Sequence, residues 1–365
     1  MGAERFAYPI VTAVGDPRER GRQYGAATGT LIERNLRLYE ERFRSLAGLG
    51  WREALRRAEA VVPTIGAYDR DALEELRGIA EGAGQPLAAV AALNCRTELL
   101  YPAPAHECTT VGVLAQRSAE GHVLLGQNWD WLDEAASVVV LLRSVDADGF
   151  EVVSLHEAGQ LARAGCNSAG VGAVGNFLES DRDRRAGGVP LAVIARRILH
   201  ARSLADAVAA IAGTPRAVSN NYLLASAQDG PVDIEATPRE EHPHAPCNGL
   251  LVHANHFHAP CVVDTYRSLM PDSFYRESRM QMQLGATGPV AVEDLMRALR
   301  DHVGHPDSIC RHLRDDGPQP RSRTLASTVI DLTARQLWIA DGNPCERPYL
   351  DVALDRHRAA VCAPC

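Results

Sequence analysis

The chain has 365 residues, 46% of them hydrophobic, and a formal charge of −8 spread over well-mixed acidic and basic side chains. That is enough apolar material for a sizeable core, and it excludes a basic nucleic-acid face or a polybasic membrane anchor, so a small-molecule or peptide-like substrate is expected. No apolar run reaches the roughly 18 residues of a membrane span, and the first residues lack the basic head and apolar stretch of a signal peptide, so a cytoplasmic chain with no membrane partner is expected.

Residues 15–100 read as helical. Between Arg18 and Leu46, residues Tyr24, Leu31, Ile32, Leu36, Leu38, Tyr39 and Phe43 recur at about the 3.6-residue helical period. Gly48 and Gly50 break that helix. Trp51–Ile65 follows as a second, Asp69–Ala83 as a third with its exit at Gly82 and Gly84, and Pro86–Leu99 as a fourth. Pro102 and Pro104 then stop all helix, because neither has an amide donor.

After residue 107 the texture changes to short β-branched runs at Thr109–Gln116, His122–Asn128, Ser137–Ser144, Glu151–His156 and Val171–Phe177, with a hairpin turn at Asp146–Gly149. Helices are predicted at Pro190–Ala201 and Leu204–Ala212, the latter capped by Ser203 and Asp206. Strands resume at Asn221–Ala227, Pro231–Ala236 and Leu250–Ala254. Residues 266–316 read as mostly helical, and Ser327–Leu332 with Gln336–Ala340 forms a last hairpin. The order lacks βαβ alternation and suits an α+β fold of antiparallel sheets covered by helices.

Nine cysteines are scattered along the chain and read as reduced thiols; Cys362 and Cys365 form an isolated Cys-x-x-Cys at the tail. Cys108 stands where the proline-rich stop meets the first strand, a position that suits a reactive thiol at a sheet end or a small buried one. Asp130 closes Gly126-Gln-Asn128-Trp-Asp130, and a hairpin through Glu120-Gly121 returns it beside Cys108, where a carboxylate can orient an amine or cap a turn. Gly170, Gly172 and Gly175 spell a literal Gly-x-Gly-x-x-Gly, but they run through an apolar strand with no helix opening from them, which rejects a dinucleotide site. Asn176, next in line, can offer an amide to a substrate.

His253, His256, His258 and Cys261 invite a metal reading, yet their spacings match no common ligand pattern, and Pro243 and Pro246 break any helix that would align them. A strand ending at Ala254 puts Asn255 at a sheet end, where its NH2 can stabilise an oxyanion. Arg321 and Arg323 suit either a bidentate grip on a carboxylate or a solvated patch. There is no Gly-x-Ser-x-Gly elbow and no phosphate-binding loop.

Taken together, Cys108-Thr-Thr110, Gly126–Asp130, Asn167-Ser-Ala-Gly-Val171 and His253-Ala-Asn255-His256 resemble, in that order, the acyl-coenzyme A:6-aminopenicillanic acid acyltransferase family of the N-terminal-nucleophile hydrolases. Leu76–Gly84 and Leu93–Glu98 look like that family's propeptide region. The resemblance implies a four-layer αββα sandwich of two antiparallel sheets with helices on both outer faces. It also implies autocatalytic cleavage at Glu107–Cys108, where family members often carry glycine before the cysteine. A helical chain 1–107 would then stay with a catalytic chain 108–365 as one structural domain.

By the same resemblance Cys108 is nucleophile and α-amino base, with Thr110 in its motif. Asp130 orients the amine, Asn255 forms the oxyanion hole, Asn176 contacts substrate, and the late arginine is Arg323 or Arg321. The substrate is an N-acyl amine or acyl thioester, with no cofactor or metal. A free α-amine titrates near 7.7–8.0, so it serves as a base at neutral pH without a histidine. A metal-dependent hydrolase built on His253, His256, His258 and Cys261, and a non-catalytic binding protein on the same fold, are the alternatives.

Overall fold

Asp16 starts the first helix, α1 (Pro17–Ala47): its carboxylate accepts from the Glu19 amide, Pro17 fills the first turn, and Gly48 ends the helix with a φ of 62°. α1 is followed by α2 (Trp51–Tyr68), α3 (Arg70–Ala83), α4 (Leu87–Asn94) and α5 (Arg96–Leu100), so the fourth expected helix breaks in two at Cys95. α1 and α3 cross with their backbones in contact. A Cβ on Gly21 would lie 2.2 Å from the Glu75 carbonyl oxygen, and one on Gly82 would lie 2.1 Å from that of Arg22. Gly82 therefore serves the crossing, and Gly84, at φ 63°, is the helix exit. The chain is described here from a computed structural model that covers residues 6–102, 107–184, 187–286, 288–314 and 321–352, which leaves the Cys362–Cys365 pair and the Glu107 side chain outside the described residues.

The first sheet collects β1 (Ile10–Val14), β4 (Val139–Val145), β5 (Glu151–Glu157), β6 (Ala164–Asn167), β7 (Val171–Phe177), β8 (Asn220–Ser226), β9 (Gly230–Ala236) and β10 (Glu241–His244), in that spatial order. The second runs β11 (Leu250–His253), β2 (Glu107–Val113), β3 (Leu124–Leu132), β12 (Ser322–Asp331), β13 (Gln336–Ala340) and β14 (Leu350–Asp351). All neighbours pair antiparallel except β1 and β4, which are parallel. β2 and β3 stack on β7 and β8. α1, with α6 (Leu191–Leu199) and α7 (Leu204–Ala209), covers the outer face of the first sheet, while α8 (Asp272–Gly285) and α9 (Val292–Leu299) cover that of the second. The result is a four-layer αββα sandwich.

One apolar cluster fills the space between the sheets and under α1; a second, with Val111, Val252 and Val329 against Met280, Leu295 and Leu299, glues the second sheet to α8 and α9. Burying such side chains against water drives the layering. Among the strands not expected, β1, Ile-Val-Thr-Ala-Val, carries a β-branched signal by which it could have been found, whereas β6 is Ala-Gly-Cys-Asn, without a β-branched residue, and β10 carries Pro243, which an edge strand tolerates. The stretch 266–316 is less helical than expected. Past α9, residues 300–314 form irregular loops. Among the described residues no helix is long and apolar enough to cross a membrane.

Candidate active site

Side chains alternate along a strand, and on β2 the alternation sorts the motif onto two faces. Thr110 points between the sheets, where its Oγ1 donates to Asn176 Oδ1 on β7 at 2.7 Å; Thr109 points the other way, its Oγ1 accepting from Arg276 Nη1 on α8 at 3.0 Å. β3 repeats the pattern. Gln127 Nε2 donates inward to the Gly175 carbonyl at 2.6 Å, while Asn128 Nδ2 donates outward to the carbonyls of Leu299 and Ile309, both at 2.8 Å. The register sets Cys108 opposite Trp129 and Glu107 opposite Asp130. The Cys108 thiol thus faces the intersheet space and the Asp130 carboxylate faces α8, with the 107–108 peptide bond between them.

Cys108 is held through each of its polar atoms. Its N–H donates to Asn255 Oδ1 at 2.9 Å, and its carbonyl accepts from Arg276 Nη1 at 2.7 Å and Asn176 Nδ2 at 3.1 Å. Its Sγ accepts from Arg163 Nη2 at 3.2 Å, and that guanidinium lies 4.3 Å from the centre of the Trp129 ring. Burial pushes the Cys108 thiol up, while the Arg163 cation pulls it back toward ionisation.

Asp130 is buried, and burial raises its carboxyl to about 7 against the lowering effect of Arg276 and a hydrogen bond from Thr324. Thr324 Oγ1 donates to Oδ1 at 2.6 Å; Oδ2 has no hydrogen-bond partner among the described residues. A buried carboxylate oxygen left so is costly unless a donor reaches it.

Asn255 presents its oxygen to the Cys108 backbone. Oδ1 accepts from both the Cys108 N–H and Arg276 Nη2, at 2.9 Å each, and Nδ2 donates to the Phe177 carbonyl at 2.9 Å. Its amide hydrogens point to Phe177 rather than beside the thiol. Asn176 is likewise occupied in joining the sheets. The thiol opens on a pocket of about 830 Å³, mouth included, lined by Cys108, Trp129 and Tyr222 from the sheets, Arg163 from the loop before β6, Arg96 from α5 and Leu191 from α6. Arg321 and Arg323 do not line it. Arg323 Nε donates to Asp133 Oδ1 at 2.5 Å, at the start of β12 and one residue before Thr324.

The sequence profile of the acyl-coenzyme A:6-aminopenicillanic acid acyl-transferase family matches residues 117–346, well over half of the chain. The chain belongs to that family. The acyl-coenzyme A:6-aminopenicillanic-acid-acyltransferase 40 kDa form of Emericella nidulans is 28% identical over 277 residues, which span 74% of this chain and 75% of that protein. Among solved structures, penicillin V acylase from Agrobacterium tumefaciens is 14% identical at a TM-score of 0.44, covering 64% of this chain and 83% of its own. A mutant conjugated bile acid hydrolase from Clostridium perfringens is 9% identical at 0.41, covering 68% and 97%.

In this acyltransferase-family chain, two arginines that no motif marks touch Cys108. Arg163 stands alone in a run of small apolar residues, Leu161-Ala-Arg-Ala-Gly165, where an unexplained cation was the available signal. Arg276 is fully buried on α8, and its Nε pairs with Asp272 one turn earlier at 2.9 Å.

The histidines weighed as a metal set gather around two carboxylates: His253 and His258 form one trio with Glu235, and His256 and His258 another with Glu277, the ligand atoms of each within 4.8 Å of one another. His253 Nε2 lies 2.9 Å from Glu235 Oε1, His244 Nε2 lies 3.0 Å from Glu235 Oε2, and His258 Nε2 lies 2.8 Å from Glu277 Oε2. Burial works against a charged His253, but Asp233 and Glu235 outweigh it and raise the imidazole to about 9. His256 Nδ1 bonds Ser273 Oγ at 2.8 Å and its Nε2 lies 3.3 Å from Glu277 Oε2, whereas Cys261 is exposed beside His242 with its Sγ 3.8 Å from that ring and joins neither trio.

Proposed function

We propose that this chain is a self-processing cysteine amide hydrolase and acyltransferase that cuts its Glu107–Cys108 bond and then carries acyl groups on Cys108. The observation that carries the reading is the setting of the Cys108 nitrogen: Asn255 Oδ1 holds its N–H, and the register runs its peptide bond past Asp130, whose buried Oδ2 finds no donor among the described residues. An ammonium released at residue 108 would supply that donor.

In the cut, Cys108 Sγ adds to the Glu107 carbonyl carbon, the C–N bond breaks, and the nitrogen takes a proton to become an amine. Water then opens the Glu107 thioester, returning the thiol and leaving a Glu107 carboxylate. In turnover the α-amine takes the thiol proton, Asn255 Oδ1 and Asp130 hold the amine by its hydrogens, and the thiolate attacks an acyl carbonyl. Arg163 Nη2, already beside Sγ, is the nearest cation to the charge that develops; Asn255 joins the oxyanion hole if its NH2 turns away from Phe177. The amine or thiol leaving group departs with the proton, and water or a second amine takes the acyl group from sulfur.

The mixed apolar and polar lining of the pocket suits a small N-acyl amide or acyl thioester, in keeping with the name of the Emericella relative. The 1–107 piece would stay bound. Asn35 Nδ2 donates to the Ala158 carbonyl at 2.8 Å, Trp131 Nε1 donates to Tyr39 Oη at 3.1 Å, and Arg96 Nε lies 3.1 Å from Glu157.

Intact mass spectrometry tests the proposal. Wild type should give two species that meet at 107 and 108 and should gain an acyl adduct on the larger one when N-acyl amides or acyl thioesters are added. Cys108→Ala should stay one chain without turnover. A wild type that remains one species, with Cys108→Ala still turning over substrate, would sink it.

A further inference from the structure

A second cluster of metal-ligating side chains lies outside the pocket, and its chemistry differs from that of the His253 group. His302 follows α9, Cys310 and His312 lie on the irregular loop 300–314, and Cys345 comes from the loop after β13. One ligand atom from each falls within 4.8 Å of the others. Cys310 Sγ and Cys345 Sγ are 3.7 Å apart, too far for the roughly 2.05 Å of a disulfide. His312 Nε2 stands 3.6 Å from Cys310 Sγ, 3.4 Å from Cys345 Sγ and 3.1 Å from His302 Nε2. A tetrahedral zinc with ordinary bond lengths sets sulfur–sulfur, sulfur–nitrogen and nitrogen–nitrogen separations of about 3.8, about 3.6 and about 3.3 Å. The cluster matches that pattern with no carboxylate among its four atoms.

We propose that His302, Cys310, His312 and Cys345 bind one zinc ion that ties the loop 300–314 to the loop after β13. Two thiolates and two imidazoles in tetrahedral array favour zinc over harder cations, and four protein ligands leave no open position, which makes the site structural. The surroundings fit a ligand shell. Asn343 Nδ2 donates to Cys310 Sγ at 3.4 Å and to the Arg311 carbonyl at 2.7 Å, and His312 Nδ1 has Glu346 Oε1 at 3.7 Å on its far side.

The tie bears on the candidate active site through bonds. Arg311, next to Cys310, gives its N–H to Thr324 Oγ1 at 2.9 Å, and that hydroxyl donates to Asp130 Oδ1 at 2.6 Å; Arg311 Nη2 also pairs at 3.1 Å with Asp272, the partner of Arg276. A loop fixed at Cys310 therefore fixes Thr324 and, through it, Asp130. Binding needs both thiols deprotonated, so loading releases protons and fails in acid.

The experiment uses the full chain purified without chelator. Elemental analysis should find about one zinc per chain, and replacement by Co2+ should give the strong visible bands of a tetrahedral cobalt–thiolate centre. Cys310→Ser and Cys345→Ser should each lower zinc roughly tenfold or more, whereas Cys261→Ser and His258→Ala keep it. Chelation should lower the Tm by several degrees, and zinc should restore it. The proposal is overturned by a wild type that binds neither Zn2+ nor Co2+, by metal that survives Cys310→Ser but leaves with His258→Ala, or by a Cys310–Cys345 disulfide in the protein purified with thiol reductant. The cobalt spectrum of wild type decides the matter even if a serine variant fails to fold.

Discussion

Cys108 and Cys310 are both buried thiols whose protons burial retains, and their neighbours separate them. Cys108 has a cation at its sulfur, an indole beneath that cation, and a pocket able to admit a ligand. Cys310 has a second thiol, an imidazole and an amide hydrogen at its sulfur, and it does not line the pocket. An isolated thiol beside an arginine and open space is arranged to meet an electrophilic carbon. A thiol among other soft ligands is arranged to meet an ion. Residue type alone does not distinguish them.

The comparison breaks first, and most visibly, if the two variants exchange phenotypes. Cys108→Ala should cut acyl turnover by roughly ten-thousand-fold or more while leaving the metal content at the wild-type level. Asp130→Asn should slow appearance of the 108–365 fragment by roughly a hundredfold. In the uncut chain Asp130 titrates at about 7. If its carboxylate receives the new ammonium, self-cleavage rises with pH through that value in wild type, and the rise is absent in Asp130→Asn; time courses by gel and mass read both.

Arg163→Gln sharpens the contrast at the sulfur. Removing the cation takes away the largest pull against burial and leaves the weaker ones of the Asp130 amide and Arg276, so iodoacetamide should label Cys108 roughly tenfold more slowly at pH 7, with Cys310 labelling unchanged.

The smallest effect concerns Glu98, which neither thiol touches. Burial raises its carboxyl to about 7 from an ordinary 4.5, against a hydrogen bond from the Leu191 amide. Folding then favours the protonated acid: the stabilisation is present below the unfolded value and is lost as pH rises through about 7. Glu98→Gln should raise the Tm by roughly 2–4 °C at pH 8 and leave it unchanged at pH 4, by calorimetry.

What could be read from the chain was local. The hairpin that sets Glu107 opposite Asp130 follows from two strands and the Glu120-Gly121 turn, and the helix ends at Gly48 and Gly84 are single-residue signals. Asn255 was found as a strand-end residue, but the direction its amide faces depends on Arg276 and Phe177, which come from other layers of the sandwich. Arg163 and Arg276 carry no motif; only packing brings them to Cys108. The zinc cluster shows the same limit, because Cys345 lies 35 residues from Cys310 and joins it by folding of the loops flanking β12 and β13. A spacing rule written for one helix or one knuckle could not find it.

The clamp on Cys108 sets a clock during synthesis. The residue that holds its N–H comes 147 positions later, and the arginine on its carbonyl comes 168 positions later. At ordinary translation speeds the ribosome needs roughly ten to thirty seconds to reach the latter. Over that interval α1 and α3 can already close on each other, while the thiol has neither partner. Whatever Cys108 does to its own backbone waits until about three quarters of the chain has been made, and a message truncated before Asn255 would yield α1 to α7, the strands of the first sheet and β11, β2 and β3 of the second around an unclamped cysteine.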